Sequence, residues 1–200
     1  VASSNQYYGV CSIGCAGTTV LDSVFANNAG DGVYLENGAG HLVQDCTFTS
    51  NGYSGVLLDS TVTSRVANNT IQWSSAHGVS LWDASNDNEI VGNTISNSNN
   101  GIYLRGDSGL ECTGNLVDNN TLTGNGNYGL FLFFANGNTF SYNKVTGSYY
   151  GAYIAGVNVD GNWLYLNNFT NNNVNAYNSW AGNSNYWNTS APTTYWYMGS

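Results

Sequence analysis

A repeat of about 23 residues constrains the fold of this chain more than any other feature of its sequence. In each repeat a glycine precedes a short apolar segment. These marker glycines are Gly9, Gly32, Gly55, Gly78, Gly101, Gly129 and Gly151, at intervals of 23, 23, 23, 23, 28 and 22 residues. No unit this short can bury an apolar face alone, so the repeats must stack to form a core. The long interval predicts five extra residues around Leu110 to Gly114.

Three further columns recur with the same period. Two are apolar: Val20, Val43, Val66, Ile90, Val117, Phe140 and Leu164, and then Phe25, Phe48, Ile71, Ile95, Leu122, Val145 and Phe169. The third is mostly asparagine: Ser23, Cys46, Asn69, Asn93, Asn120, Asn143 and Asn167. A β-sandwich or barrel would instead show turn signals roughly every 8–12 residues. The columns therefore predict an all-β fold, a parallel β-helix (solenoid) of about seven to eight coils.

In such a solenoid, like positions of successive coils lie one above the other. Alternation along a strand directs Val33 and Leu35 inward and Tyr34 and Glu36 outward. Stacked asparagine amides can form hydrogen-bonded ladders, and glycine permits the positive φ of a turn. We expect residues 1–174 to form the parallel β-helix. Residues 175–200 are predicted to form an irregular last coil and an aromatic-rich cap or contact segment.

The phrase N-N-T-I, followed after six residues by G-V-x-L, runs from Asn68 to Leu81 and recurs in similar form from Asn119 to Leu132. It resembles the right-handed parallel β-helix repeats of the pectate-lyase-like superfamily. More narrowly, it resembles NosD-like repeats of archaeal and bacterial surface proteins. The resemblance implies a right-handed helix and an extracellular or cell-surface location. It is specific for the fold, because the superfamily includes lyases, hydrolases, epimerases, adhesins and structural proteins.

The net charge excludes some classes of binding partner. Twelve acidic and three basic residues give a net charge of −9, which argues against nucleic acid and anionic membranes as partners. No run of 18 apolar residues exists, so we expect no membrane insertion. The chain begins at Val1 without methionine. We therefore expect a secreted protein whose signal peptide has been removed.

Active sites in the superfamily that this chain resembles generally lie on the outward face of one parallel sheet. Outward positions four residues after the marker glycines include Glu36, Asp59, Trp82 and Arg105, spaced by 23 residues. The candidate catalytic set is Glu36, Asp59, Asp83, Arg105 and Asp107. Glu36 and Asp59 are also a candidate Ca²⁺ pair, although no cofactor is required. Alternatively, these residues are solvated, with Arg105 bridging to Asp83 or Asp107.

Aromatic residues on the same face form a candidate carbohydrate-binding strip: Tyr34, Trp82, Tyr103, Phe131 and Tyr153. The scarcity of basic residues counts against an acidic polysaccharide as substrate. His77, directly before Gly78, is expected to be a solvated turn residue. Without a His, Met or Cys cluster, the sequence offers no ligands for copper.

Cysteines and sequons complete the predicted sites. We expect a disulfide between Cys11 and Cys15, a buried Cys46, and Cys112 in the inserted loop, open to intermolecular pairing. Asparagines in Asn-x-Ser/Thr sequons are candidate glycosylation sites. They are Asn68, Asn119, Asn168 and Asn188.

The aromatic tail is the candidate self-association surface. Its members are Trp180, Tyr186, Trp187, Tyr195, Trp196 and Tyr197. The tail either caps its own rod or meets the first coil of another copy head to tail, a contact that would generate filaments.

Three functional hypotheses follow. The leading one is a cell-surface structural or adhesive protein that self-assembles head to tail or laterally, into filaments or an envelope layer. The alternatives are a module that binds cell-surface polysaccharide, and a polysaccharide lyase or glycoside hydrolase.

Overall fold

Three parallel sheets run the length of the chain and wind into a β-helix. The computed structural model describes residues 1–156, 159–180 and 182–187, and the backbone of 196–198. Each full coil contributes one strand to each sheet, giving about eight coils within this part of the chain. The prediction of an all-β parallel solenoid is confirmed.

We call the sheets I, II and III, in the order in which a coil crosses them. Sheet I contains β2 (Val10–Ile13), β5 (Val33–Glu36), β8 (Ser54–Asp59), β11 (His77–Trp82), β14 (Asn100–Arg105), β18 (Tyr128–Phe133), β22 (Tyr150–Ala155), β25 (Val174–Asn178) and β27 (Trp196–Met198). Sheet II contains β3 (Thr19–Leu21), β6 (Leu42–Gln44), β9 (Arg65–Ala67), β12 (Glu89–Val91), β16 (Leu116–Asp118), β20 (Thr139–Ser141), β23 (Trp163–Tyr165) and β26 (Tyr186–Trp187). Sheet III contains β1 (Ala2–Ser3), β4 (Val24–Ala26), β7 (Thr47–Thr49), β10 (Thr70–Gln72), β13 (Thr94–Ser96), β17 (Thr121–Thr123), β21 (Lys144–Thr146) and β24 (Asn168–Thr170). A separate pair is formed by β15 (Cys112–Thr113) and β19 (Ala135–Asn136).

The register follows the sequence columns. Val43 pairs with Val66, and Val66 pairs with Ile90. These side chains are fully buried, as are Val33 and Leu35. Stacking like residues over one another therefore fills a continuous apolar core along the axis.

The asparagine column forms the predicted ladder. The backbone N–H and Nδ2 of Asn120 both donate to Oδ1 of Asn143, at 2.9 and 3.0 Å, and Nδ2 also donates to the Ile90 carbonyl at 2.8 Å. A second ladder passes through Asn115 and Asn138 at the turn between sheets I and II. Each buried amide thereby satisfies backbone groups that the turns would otherwise leave without partners.

The marker glycines serve close packing rather than positive φ. None of the seven adopts positive φ. A Cβ on Gly55 would lie 2.5 Å from Cγ2 of Ile71 and 2.7 Å from the Gly78 carbonyl oxygen. The left-handed turn positions are taken by other glycines, such as Gly92 with a φ of 66°, and by asparagines such as Asn68 and Asn119, with φ of 55° and 54°, as expected from sequence.

The extra residues of the fifth coil come earlier than predicted. Asp107 and Leu110 exchange backbone hydrogen bonds and close a tight turn. The chain then returns to the solenoid at Cys112, which is fully buried in β15. The prediction that Cys112 lies in the inserted loop is wrong, and burial removes it from intermolecular pairing.

The predicted disulfide is absent, since Cys11 and Cys15 are free and exposed. Cys11 lies within β2, which ends at Ile13, and Cys15 lies beyond the turn at Gly14, where φ is 66°. Cys46 is buried in the asparagine column, as predicted. Its sulfur accepts a hydrogen bond from the Ser23 amide at 3.4 Å.

The aromatic tail extends the solenoid where it is described. Tyr186–Trp187 pairs with β23, and the backbone of 196–198 pairs with β25. Tyr186 and Trp180 are exposed, whereas Trp187 packs against the core. Tyr195 and the side chains of Trp196 and Tyr197 lie outside the described residues. Self-association through this segment stays a prediction.

The described ranges contain no helix with the length and apolarity needed to cross a membrane.

Candidate functional site: the outward face of sheet I

Side chains on the outward face of sheet I form three columns, defined by their position relative to the marker glycine. One residue before it stand Asp31, Ser54, His77, Asn100, Tyr128 and Tyr150. Two residues after it stand Tyr34, Leu57, Ser80, Tyr103, Phe131, Tyr153 and, after Asn175 in the last coil, Tyr177. Four residues after it stand Glu36, Asp59, Trp82, Arg105 and Phe133. The predicted stack of Glu36, Asp59, Trp82 and Arg105 is confirmed by this register.

A groove opens where the middle column carries smaller residues. Leu57 and Ser80 interrupt the run of rings between Tyr34 and Tyr103. The groove has a volume of about 310 Å³. It is lined by Tyr8, Ala29, Gly30, Asp31, Tyr34, Gly52, Tyr53, Leu57, Asp59 and Trp82. Leu57 is only 4% exposed, so this outward position is covered rather than solvated.

Four aromatic rings surround the groove. On one side Tyr8 stacks on Tyr34, with ring centroids 5.0 Å apart. On the other side the edge of Tyr53 meets Trp82 at 5.8 Å, at an angle of 85°. Tyr53 belongs to the turn before β8 and also contacts His77, at 5.8 Å. Tyr53 therefore reaches across the sheet from the first column to the third.

The carboxylates of Glu36 and Asp59 both lie within hydrogen-bonding distance of the Tyr34 hydroxyl. The Tyr34 hydroxyl donates to Oε2 of Glu36 at 2.8 Å and lies 3.4 Å from Oδ2 of Asp59. Burial, with the nearby negative charges of Asp83 and Glu36, raises the pKa of Asp59. Burial and the Glu36 hydrogen bond raise the pKa of Tyr34, so its proton stays in place near neutral pH.

Arg105 does not pair with the acids proposed for it. Its guanidinium carbon lies 5.1 Å from the centroid of Trp82, a cation–π contact. The only ion pair within the described residues is Arg65–Glu89, on sheet II. Asp83 follows Trp82 at the sheet edge, and Asp107 lies in the exposed turn before β15. The structure thus brings Glu36 and Asp59 together but leaves Asp107 outside the groove, and a catalytic role for the set stays a prediction.

No group of three or more His, Cys, Asp or Glu side chains that could hold a metal ion occurs in the described part of the chain. Glu36 and Asp59 are bridged by the Tyr34 hydroxyl, and calcium at this pair stays a prediction.

A buried polar column lies beside the groove, and it corrects the expectation for His77. His77 is 8% exposed, and its Nδ1 lies 3.0 Å from Nδ2 of Asn100. Burial lowers the pKa of His77 to about 4. Asp31 is 3% exposed, accepts the Ser54 amide at 2.7 Å, and has its pKa raised by burial to about 6. The Tyr53 and Tyr103 rings exclude water from His77, which periodicity alone did not indicate.

Beyond Tyr103 the face becomes a ladder of stacked rings. Tyr103 and Phe131 lie 4.5 Å apart at an angle of 2°, and Tyr153 and Tyr177 lie 5.3 Å apart at 12°. Tyr128 and Tyr150 form a second row beside them. We call these six residues the aromatic ladder. Sequence analysis missed Tyr128, Tyr150 and Tyr177, although the first two recur directly before the marker glycines.

The candidate glycosylation sites Asn68, Asn119 and Asn168 are exposed, and their modification stays a prediction. Asn188 lies outside the described residues.

Comparisons with known proteins agree with this architecture. Residues 1–117 match the family model described as "Right handed beta helix region". The chain belongs to this right-handed β-helix family. Residues 109–200 match the model "Periplasmic copper-binding protein (NosD)". No curated protein sequence matches the chain.

Solved structures share the fold at low sequence identity. A mutant of the periplasmic alginate epimerase AlgG has a TM-score of 0.72 and 20% identity, covering 82% of this chain and 38% of that one. The A-module of the Azotobacter vinelandii mannuronan C-5 epimerase AlgE6 has a TM-score of 0.74 and 18% identity, covering 82% and 45%. The Dettilon tailspike protein has a TM-score of 0.55 and 13% identity, covering 82% and 42%. This β-helix thus spans less than half the length of each of these structures.

Proposed function

We propose that this β-helix is an extracytoplasmic protein that binds polysaccharide along the outward face of sheet I. The observation that carries the proposal is the continuity of the groove with the aromatic ladder. Together the groove and the aromatic ladder form one continuous strip of aromatic and polar side chains parallel to the axis of the β-helix, which we call the lane. A glycan chain has the matching shape, because it is long and presents apolar ring faces beside hydroxyl groups.

The chemistry of the lane supports a sugar ligand. Tyrosine and tryptophan present apolar area with a polar tip and lose little conformational freedom on binding. The buried carboxylates and tyrosine hydroxyls supply hydrogen-bond partners for sugar hydroxyls. The rings of the ladder already hold one another in place, which lowers the entropy lost on binding.

The charges on the lane disfavour a polyuronate. Glu36, Asp59 and Asp31 stand against a single guanidinium, Arg105, and a uronate carboxylate would be repelled by the acids. The names of the structurally similar epimerases refer to alginate and mannuronan, whereas the charges of this face favour a different polysaccharide. A non-cytoplasmic location is supported by the word "periplasmic" in the names of the NosD model and AlgG.

A binding assay tests the proposal. Purified protein would be titrated with neutral, amino and uronate oligosaccharides of equal length, and binding followed by calorimetry. We expect the double variant Phe131→Ala/Tyr153→Ala to weaken binding to the preferred oligosaccharide by roughly tenfold or more, about 1.4 kcal/mol. The matched control is Trp163→Ala, which removes an exposed stacked ring from the face of sheet II.

Equal loss in the control and in the ladder variant would place binding elsewhere on the molecule. Absence of binding to every oligosaccharide would reject the proposal. Self-assembly into filaments or an envelope layer is a separate prediction, which electron microscopy of the purified protein would test.

A further inference from the structure

We infer that the groove binds a protonated amino group of an amino sugar within the polysaccharide. This inference rests on the proposed function and names the class of sugar that the groove selects. It is carried by the combination of an aromatic enclosure with carboxylates that no basic side chain neutralises.

The aromatic enclosure suits an organic cation. Tyr8, Tyr34, Tyr53 and Trp82 all line the groove, and the pairs Tyr8–Tyr34 and Tyr53–Trp82 contact each other at its two ends. Tyr8 stacks on the Tyr34 ring, and both residues line the groove. An ammonium group is attracted to the negative faces of such rings, most strongly when water is excluded.

The charge of the groove has the matching sign. Asp31 and Asp59 line it, and Glu36 lies beside Asp59. Arg105 is not among the lining residues and covers Trp82. The other two basic residues lie on other sheets, Arg65 paired with Glu89 on sheet II and Lys144 on sheet III. A ligand cation would therefore supply charge that the described side chains do not.

The size of the groove fits a short stretch of sugar. Its volume of about 310 Å³ lies at the lower end of the roughly 300–1,000 Å³ range of small-molecule sites. One ring of an amino sugar can thus occupy the groove while the rest of the chain follows the aromatic ladder.

Matched oligosaccharides test the inference. Glucosamine oligomers would be compared with fully N-acetylated oligomers of the same length, near neutral pH, by calorimetry and intrinsic tryptophan fluorescence. The wild-type protein is expected to bind the amine form about tenfold more tightly. That preference should shrink as salt concentration rises, because partly exposed charges are screened.

Carboxamide variants localise the effect. Asp31→Asn/Asp59→Asn should lose the preference for the amine form while keeping its affinity for the N-acetylated form. Asp45→Asn is the control, since it removes an exposed acid at the turn between sheets II and III and should retain the full preference.

Equal affinity of the wild-type protein for both oligomers would overturn the inference while leaving polysaccharide binding intact. A preference that survives in the double variant would overturn it as well. Binding of neither oligomer overturns the inference, and the proposed function falls with it only if neutral and uronate chains also fail to bind.

Discussion

Between Tyr34 and Tyr103 the face of sheet I is a groove edged by carboxylates, whereas from Tyr103 to Tyr177 it is a ridge of stacked rings. The backbone of the two regions is the same, since each strand pairs in parallel with the next at an unchanged register. The difference arises from the outward residues alone. A solenoid therefore separates two tasks: inward columns fix the fold, and outward columns can change from coil to coil without affecting it.

The contrast extends to the column before the marker glycines. In the groove region this column carries Asp31 and His77, whereas in the ladder region it carries Tyr128 and Tyr150. The groove region therefore holds buried groups that titrate in mildly acidic solution. In the ladder region, burial raises the pKa values of Tyr128 and Tyr150 above 10.

The largest expected effect comes from the glycine between the two regions. A Cβ on Gly101 would lie 2.5 Å from the Gly129 carbonyl oxygen. Because neither backbone can move without disturbing both regions, Gly101→Ala should destabilise the protein by roughly 3 kcal/mol. Chemical denaturation monitored by circular dichroism measures this loss.

Gly126→Ala is the control, because its nearest neighbour would lie 3.7 Å from the new Cβ. A loss in Gly101→Ala no greater than that in the control would show that the marker glycines are not required for close packing.

The second prediction uses pH to separate the groove region from the ladder region. The pKa of His77 is lowered to about 4 in the folded protein, so the unfolded chain takes up more protons as pH falls from about 6.5. This effect removes about 3 kcal/mol of stability by pH 4. The pKa of Asp31 is raised to about 6, so acidification below pH 6 adds a similar amount. The two contributions oppose each other in the wild-type protein.

Substitutions should reveal each contribution. His77→Asn, the residue found one coil later, should make the protein gain stability relative to wild type between about pH 7 and pH 4. Asp31→Asn should make it lose stability relative to wild type over the same range. His77 faces the Tyr53 and Tyr103 rings and Asn100, and Asp31 faces Tyr8, Tyr53 and Ser54. Denaturation curves of both variants with unchanged pH dependence would contradict the assigned burial.

The smallest expected change in stability comes from converting the groove into a ladder. Leu57→Tyr would add a ring beside Tyr34 in the column that already carries rings at the other end. We expect stability to change by less than about 1.5 kcal/mol, while affinity for the amine oligosaccharide falls at least roughly tenfold. Leu57→Met keeps the side-chain volume and serves as the control. Unchanged affinity in Leu57→Tyr would place the ligand outside the groove.

Much of the fold could be predicted because its information is periodic. In a parallel solenoid, residues one repeat apart are neighbours. Equivalent positions of successive repeats therefore contact one another along the axis. Val43, Val66 and Ile90 illustrate this directly, as does the stack of Glu36, Asp59 and Trp82. The same reasoning failed at Cys112, because an insertion shifts the register locally and sequence alone did not show where the turn closes.

The sequence by itself determined the coil length, the inward columns, one asparagine ladder and the order of residues on the outward face. Only the tertiary structure decided which outward residues are covered. Tyr53 contacts His77 and Trp82 from a turn, and these contacts depend on where the turn places its ring rather than on any repeat. Burial of His77 and Asp31, and the groove itself, follow from that placement, because desolvation depends on every neighbour in space and periodicity specifies only those directly above and below.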